Sequence, residues 1–261
     1  MKSLSIAATG MLAQQRNVEV VSNNLANMNT TSYMRRRTEF HDLLYQNLRR
    51  VGSTSSDAGT VVPSGVQIGL GVKLAAVYRI HAQGNLTATD NTFDLAIQGN
   101  GFFEITKPDG TTAYTRDGTF QMNGSGELVT HDGFTVAGGI SVPEDAIDVT
   151  VNSSGEVLAK IQGQVALSNV GQIQLATFPN PAGLQAEGGN MFTETAASGA
   201  ATTSTAGSAG VGSILQGFLE TSNVNAVEEI SNLISAQRAY EMNSKVIQTS
   251  DEMMGTLTQM R

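Results

Sequence analysis

The side chains in this sequence that could do chemistry are few and scattered. The histidines are His41, His81 and His131. None stands in an H-x-x-x-H or H-x-x-E-H spacing, which would set two imidazoles on one helix face around a metal. There is no cysteine, which removes a thiolate nucleophile, a thiolate metal site and a disulfide framework. Asp117 and Asp132 could serve as the acid and base of a glycoside-cleaving pair. Each is followed by glycine, however, and Asp-Gly is first of all turn chemistry. Gly99-x-Gly101 lacks the third glycine and the following helix of a dinucleotide site. Neither a G-x-x-x-x-G-K-[ST] loop nor a G-x-S-x-G elbow occurs. The expectation is therefore no catalytic residue, no cofactor and no metal.

Composition narrows the alternatives. The chain has 261 residues, 40% hydrophobic and 15% charged, enough for one or two domains with a sizeable core. A net charge of -8 argues against nucleic acid as the main partner, because phosphate binding needs clustered Lys and Arg. The charge is uneven: residues 1–50 hold seven basic and three acidic side chains, leaving -12 on the remainder. No apolar run approaches the ~18 residues of a spanning helix, so no membrane insertion is expected. The opening MKSLSIAATGMLAQQRN is broken by Ser3, Ser5, Thr9 and Gly10. It is a poor hydrophobic core for a cleaved secretion signal, so export is expected to need another route.

The elements that would position any function lie at the two ends. Leu4, Met11, Val18 and Leu25 form one sevenfold column, and Ala7, Gln14, Val21 and Met28 form a second. Ala226, Leu233, Tyr240, Ile247 and Met254 repeat the spacing near the C-terminus, beside a column opened by Ile230 and Ile234 that drifts to Ala239, Val246, Met253 and Met260. Such seams belong to coiled-coil helices. Gly10, Asn17, Asn23, Asn24, Asn27 and Asn29 each cost up to about 1 kcal/mol of helix propensity relative to Ala. The N-terminal helix is therefore expected to need a partner over its seam. Ser222 or Asn223 is expected to cap the last helix, with Glu228 and Glu229 at its positive end. Phe40, Leu43, Leu44 and Leu48 continue at helix-like spacing to about Arg50.

The middle switches to period two. Val72, Leu74, Ala76, Tyr78 and Ile80 alternate as one strand, and Phe93, Leu95 and Ile97 as another. Further strands are expected at 147–151, 157–161 and 173–178. Turns are signalled at Asp109-Gly110, Asp117-Gly118, Asn123-Gly124 and Asp132-Gly133. The fold class is read as α+β: terminal helices paired as a coiled-coil-like domain around a central, mainly antiparallel β-domain. The boundaries are 1–50 for the N-terminal helical segment, 51–65 for an extended joint and 66–192 for the β-domain. Residues 193–216 form a low-complexity connector and 217–261 the C-terminal helical segment.

Motifs in this order resemble the flagellar rod and hook protein family. They are Ala8-Thr9-Gly10-Met11, Gln14-Gln15, Asn23-Asn24-Leu25-Ala26-Asn27, Thr30 and Tyr33 at the start. Gly99-Asn100-Gly101-Phe102-Phe103 and Tyr114-Thr115-Arg116-Asp117-Gly118-Thr119-Phe120 follow in the middle. Leu219-Glu220-x-Ser222-Asn223-Val224 and Gln237-Arg238-Ala239-Tyr240 close the chain. The resemblance spans nearly the whole sequence, and its 51–65 stretch is similar to an insertion of distal-rod members. It implies a non-enzymatic subunit without cofactor that assembles into a hollow helical drive shaft. That shaft carries torque from motor to hook and passes exported subunits. It implies location in the basal body across the periplasm and export through the flagellar type III channel. The implied partners are copies of the chain, proximal rod proteins, hook proteins and the surrounding periplasmic and outer-membrane rings.

The expected self-assembly interface is Leu4, Met11, Val18, Val21, Leu25, Met28, Ile230, Leu233, Ile234, Tyr240, Ile247 and Met254. Arg35, Arg36 and Arg37 are either a solvated run or charge contacts between subunits. A proximal rod or hook subunit is the alternative within the family. A secreted glycan-binding or glycan-cleaving β-protein is the alternative outside it.

Overall fold

The computed structural model describes residues 2–52, 64–164 and 166–259. Most of the 51–65 joint lies outside the described residues. The chain divides into two compact units. The first holds residues 1–26, 36–79 and 225–261, and the second holds residues 27–35 and 80–224.

In the first unit, helix α1 (Lys2–Ala26) lies against helix α2 (Ala226–Gln259). At 34 residues, α2 is about 50 Å long at 1.5 Å per residue. Its cap is Asn225, whose Oδ1 accepts the Val227 N–H at 3.1 Å. Ser222 and Asn223, the expected caps, lie before it. The helix expected to continue toward Arg50 stops at Ala26. Residues 36–49 are instead strands β1 (Arg36–Asp42) and β2 (Tyr45–Arg49). They pair antiparallel with β4 (Val72–Arg79) and β3 (Val66–Gly69) respectively. Phe40, Leu43, Leu44 and Leu48 fit a helical stripe only in isolation. The strand at 72–79 offers the same backbone a ladder, and pairing overrides a weak local period.

The second unit is antiparallel throughout its described strands. Strand β5 (Leu86–Ala88) pairs with Phe218–Glu220, and β6 (Leu95–Gln98) pairs with Ser213–Gln216. The main sheet is centred on β7 (Phe102–Thr106) and β8 (Thr112–Thr115). The stretch 146–172 forms a three-stranded sheet. Adjacent residues of β7 point to opposite faces. Phe103 joins a core with Leu95, Ile97, Ile105, Phe120 and Leu175. Phe102 joins a second cluster with Met34, Tyr114, Phe178 and Phe192. The Phe103–Phe120 and Tyr114–Phe178 rings meet edge-on at 5.1 and 4.9 Å, the arrangement that the ring quadrupole favours.

Two expectations change in detail. Gly110 and Gly133 take the left-handed backbone of a turn, with φ of 80° and 82°. Gly118 is there for a different reason: a Cβ would sit 1.6 Å from the Leu95 carbonyl oxygen. The Ala/Gly/Ser/Thr stretch expected as a connector contains Thr202–Thr205, paired with Gln174–Thr177. A ladder needs only backbone groups, and Thr favours strands, so this poor apolar segment is ordered at a sheet edge.

Candidate assembly interface

The seam between the terminal helices is built from small and polar residues. Asn24 of α1 donates from Nδ2 to Glu229 Oε2 of α2 at 3.2 Å. At Gly10 a Cβ would come within 2.9 Å of Asn243 Nδ2. These two meetings are fourteen residues apart on each helix and run in opposite chain directions, which sets an antiparallel register. Glu229, Ala236, Asn243 and Ser250 form a sevenfold column between and beyond them, with Glu229, Ala236 and Ser250 buried. Ala7, Ala13, Val21 and Asn24 are the buried positions of α1.

The residues that weaken α1 as a helix turn out to be its contacts. Asn24 is 1% exposed. Its side chain pairs with the Arg36 backbone as a strand would, accepting from N–H and donating to C=O at 2.8 Å each. Asn17 Oδ1 accepts the Thr38 hydroxyl at 2.9 Å. The Thr9 hydroxyl donates to the Ile6 carbonyl and accepts the Val72 N–H. Each of these side chains satisfies a backbone or hydroxyl group of the ribbon that an apolar residue would leave unpaired.

The expected interface residues fall into two groups. Val21 is buried, and Leu4, Met11, Val18, Leu25, Leu233 and Ile247 are partly covered. Met28, Ile230, Ile234, Tyr240 and Met254 remain exposed, at 39% to 45%. Leu12, Val227 and Met242, which lie outside the sevenfold columns, and Met253 of the drifting column are at least 59% exposed. The helices thus meet across small side chains and keep many large apolar ones on the outside. The Ala236–Asn243–Ser250 column is a sevenfold repeat with too little apolar mass to mark a hydrophobic seam in the sequence.

In the basic run, Arg35 and Arg36 are partly buried and Arg37 is exposed. Charge is strongly partitioned between the units. The second holds four Lys or Arg against fourteen Asp or Glu, a net -10, and the first holds eleven against nine, a net +2.

In the β unit, three of the family-like motifs converge. Arg116 donates from Nε to Glu220 Oε2 at 2.5 Å, and from its Nη atoms to the carbonyls of Gly99 and Gly101 at 2.8 and 3.2 Å. Glu220 Oε1 accepts the Gly84 N–H at 2.8 Å. Ser32, held at a left-handed φ of 54°, donates its hydroxyl to the Arg116 carbonyl, and its N–H to the Glu220 carbonyl, both at 2.8 Å. Asn223 accepts the Arg35 N–H at 2.7 Å and donates to the carbonyls of Ile80 and Ala82 at 2.9 and 2.8 Å. Arg116 and Glu220 are both less than 9% exposed, so each charge is desolvated and depends on the other.

Among the described residues, the side chains with chemical potential fall at separate places: His81 and Arg116 line a cavity of about 360 Å³, away from Asp117, His131 and Asp132. Asp117, His131 and Asp132 border one cleft of about 50 Å³, far below the several hundred Å³ of small-molecule sites. Asp117 Oδ1 is taken up by the Thr119 N–H and hydroxyl at 3.1 and 2.9 Å, and its Oδ2 accepts Asn190. His81 stacks edge-on with Phe102 at 6.3 Å, and His41 lies on β1 of the other unit.

Known proteins share this organisation in sequence. Residues 4–33 match the family described as flagella basal body rod protein. Residues 96–159 match the flagellar hook protein FlgE/F/G D1 domain, and residues 215–260 match the flagellar basal body rod FlgEFG protein C-terminal region. The flagellar basal-body rod protein FlgG of Caulobacter vibrioides is 56% identical over 261 residues, covering all of both chains. That of Agrobacterium fabrum is 51% identical over 97% of each. The flagellar hook-basal body complex protein FlhP of Bacillus subtilis is 28% identical, again over the full length of both. The matched segments include both terminal helices, the strand that carries Phe102 and Phe103, and the loop that carries Arg116, so the correspondence is end to end: this chain belongs to the FlgG family of flagellar basal-body rod proteins.

Proposed function

We propose that this chain is a structural subunit of the distal rod of the bacterial flagellum, assembling with copies of itself into a hollow helical shaft. The observation that carries the reading is the terminal helix pair, whose large apolar residues point outward in a chain that aligns end to end with rod proteins. Covering each such side chain is worth on the order of 1.5–3 kcal/mol. Repeating one contact head to tail by a rotation that does not close gives a filament, not a ring. The helices, paired in a coiled-coil-like manner, line the tube, and the heptad residues Leu4 to Met28 and Ile230 to Met254 form its walls. The 51–65 stretch acts as a joint between neighbouring subunits. Arg37, the exposed member of the basic run, reaches acidic groups of a neighbour. The shaft transmits torque from motor to hook across the periplasm and passes subunits exported through the type III channel. Proximal rod, hook and ring proteins adjoin it.

A proximal rod or hook subunit is the second reading, favoured by the match of residues 96–159 to a domain described for FlgE, FlgF and FlgG alike. Complementation of cells lacking their distal-rod subunit separates the two. For the primary reading, Ile234→Asp should leave the purified monomer folded yet abolish polymerisation, because the charge would be buried only in the filament. Ala236→Asp should disrupt the helix pair itself. Filaments of normal length from Ile234→Asp would contradict the proposal.

A further inference from the structure

We infer that Asn223, Ser32, Arg116 and Glu220 form a clasp that ties together the two stems by which the chain enters and leaves the β unit. Residues 27–35 follow α1 directly, and residues 218–224 lead to the cap of α2. Both stems belong to the β unit; the outgoing one is paired with β5 over Phe218–Glu220, whereas the incoming one forms no strand over residues 27–35. The stems are joined to each other through Asn223 to Arg35, Asn223 N–H to the Tyr33 carbonyl at 3.3 Å, and Ser32 N–H to the Glu220 carbonyl. They are joined to the sheet through Ser32 to Arg116, Arg116 to the Gly99–Gly101 loop, and Glu220 to Gly84.

The chemistry of the clasp is that of a lock that closes only on a folded β unit. Arg116 presents a planar fork, with Nε given to the carboxylate and the Nη groups to the carbonyls of Ile97, Gly99 and Gly101. The latter two carbonyls stand in place only when the Gly99–Gly101 loop has formed. Glu220 brings the outgoing stem to that fork, and its second oxygen fixes the chain at Gly84. Asn223 then reads three backbone groups, one from the incoming stem and two from the segment leading to β5. Ser32 accepts left-handed strain to make its two bonds, and such strain persists where neighbours over-determine it.

These four residues are positioning residues. They act on assembly by holding together the two chain segments that lead into the terminal helices, which raises the effective concentration of one helix near the other. The partner supplied in this way is the chain's own opposite end. The bearing on the filament rests on the rod reading above; the bearing on the stems does not.

The test uses the full chain, which has no natural cysteine. Cysteines at the exposed positions Met28 and Thr221, one on each stem within the β unit, carry spin labels, and the label-to-label distance distribution is measured in the monomer. In the otherwise natural chain the distribution should be narrow. Asn223→Ala should broaden it at least about twofold and raise the threshold concentration for polymerisation by about tenfold, the factor that corresponds to about 1.4 kcal/mol. The melting of the β unit, followed by its aromatic signals, should stay close to that of the natural chain. Asn152→Ala, which removes a turn bond elsewhere in the β unit, should lower the melt without broadening the distances. If Asn223→Ala fails to fold, Ser32→Ala gives the same readout with one link removed. Unchanged distances in the clasp variant, or broadening matched by an equal change in Asn152→Ala, would overturn the clasp. Failure of the natural chain to polymerise, with clasp distances behaving as stated, would overturn the rod reading alone.

Discussion

Asparagine occupies the decisive places because one side chain offers both a donor and an acceptor. Asn24 completes the Arg36 backbone and meets Glu229, and Asn223 joins the two stems of the β unit. Neither role can be read from sequence, since Asn24 and Glu229 are 205 residues apart and Arg35 and Asn223 are 188 apart. In one dimension they are only poor helix formers or turn residues. Tyr114 offers a pH test at the same scale. Burial first, then the charges of Glu104 and Glu194, raise its pKa above the ordinary 10.0. A raised folded value means that its contribution to stability is complete below the unfolded value and is lost as pH rises through the folded one. The β unit should therefore lose stability as pH rises past the ordinary tyrosine value of 10.0, and Tyr114→Phe should flatten part of that fall. Melting curves against pH that superimpose for the two proteins would show that burial of this hydroxyl is not felt.

Elements differ in how plainly they show in sequence. Strands with clean alternation, such as 72–79, and the two terminal helices are legible because their periods are long and uninterrupted. Residues 36–49 are misread because four apolar residues at three- and four-residue intervals mimic a stripe while their true partner lies about thirty residues on. The helix seam was half legible. The large residues of the heptads stand out in the sequence, but the positions that touch are mostly the small ones, where close approach rather than apolar mass sets the spacing. Gly10 tests that distinction. Gly10→Ala meets only the mobile end of Asn243 and gains up to about 1 kcal/mol of helix propensity, so the helix pair should be nearly unaffected. Gly10→Leu must spread the helices, a change that costs about 1–3 kcal/mol in a packed seam. Urea titrations followed by helical circular dichroism should separate the two variants; equal midpoints would mean that α2 does not approach there.

At the scale of the whole molecule, two units of different physical character are joined in one chain. The β unit buries a conventional core of Leu, Ile, Val and Phe and carries most of the negative charge. The helical unit joins along Ala, Gly, Ser and Asn, which bury little apolar area, and stability from burial scales with that area. Many of its large residues, among them Ile230, Ile234, Tyr240 and Met254, stay outside, so its order is expected to be marginal in a single copy and firm in a filament. The family was legible at this scale because its motifs recur in order along the chain, whereas their meeting around Arg116 was not. The most direct test is amide hydrogen exchange across residues 2–26 and 230–259, compared in the isolated chain and in the assembled polymer. The account predicts fast exchange in the single copy and strong protection after assembly, with β-unit amides such as those of Phe103 and Ile105 slow in both. Terminal helices already as protected in the lone chain as in the polymer would contradict it.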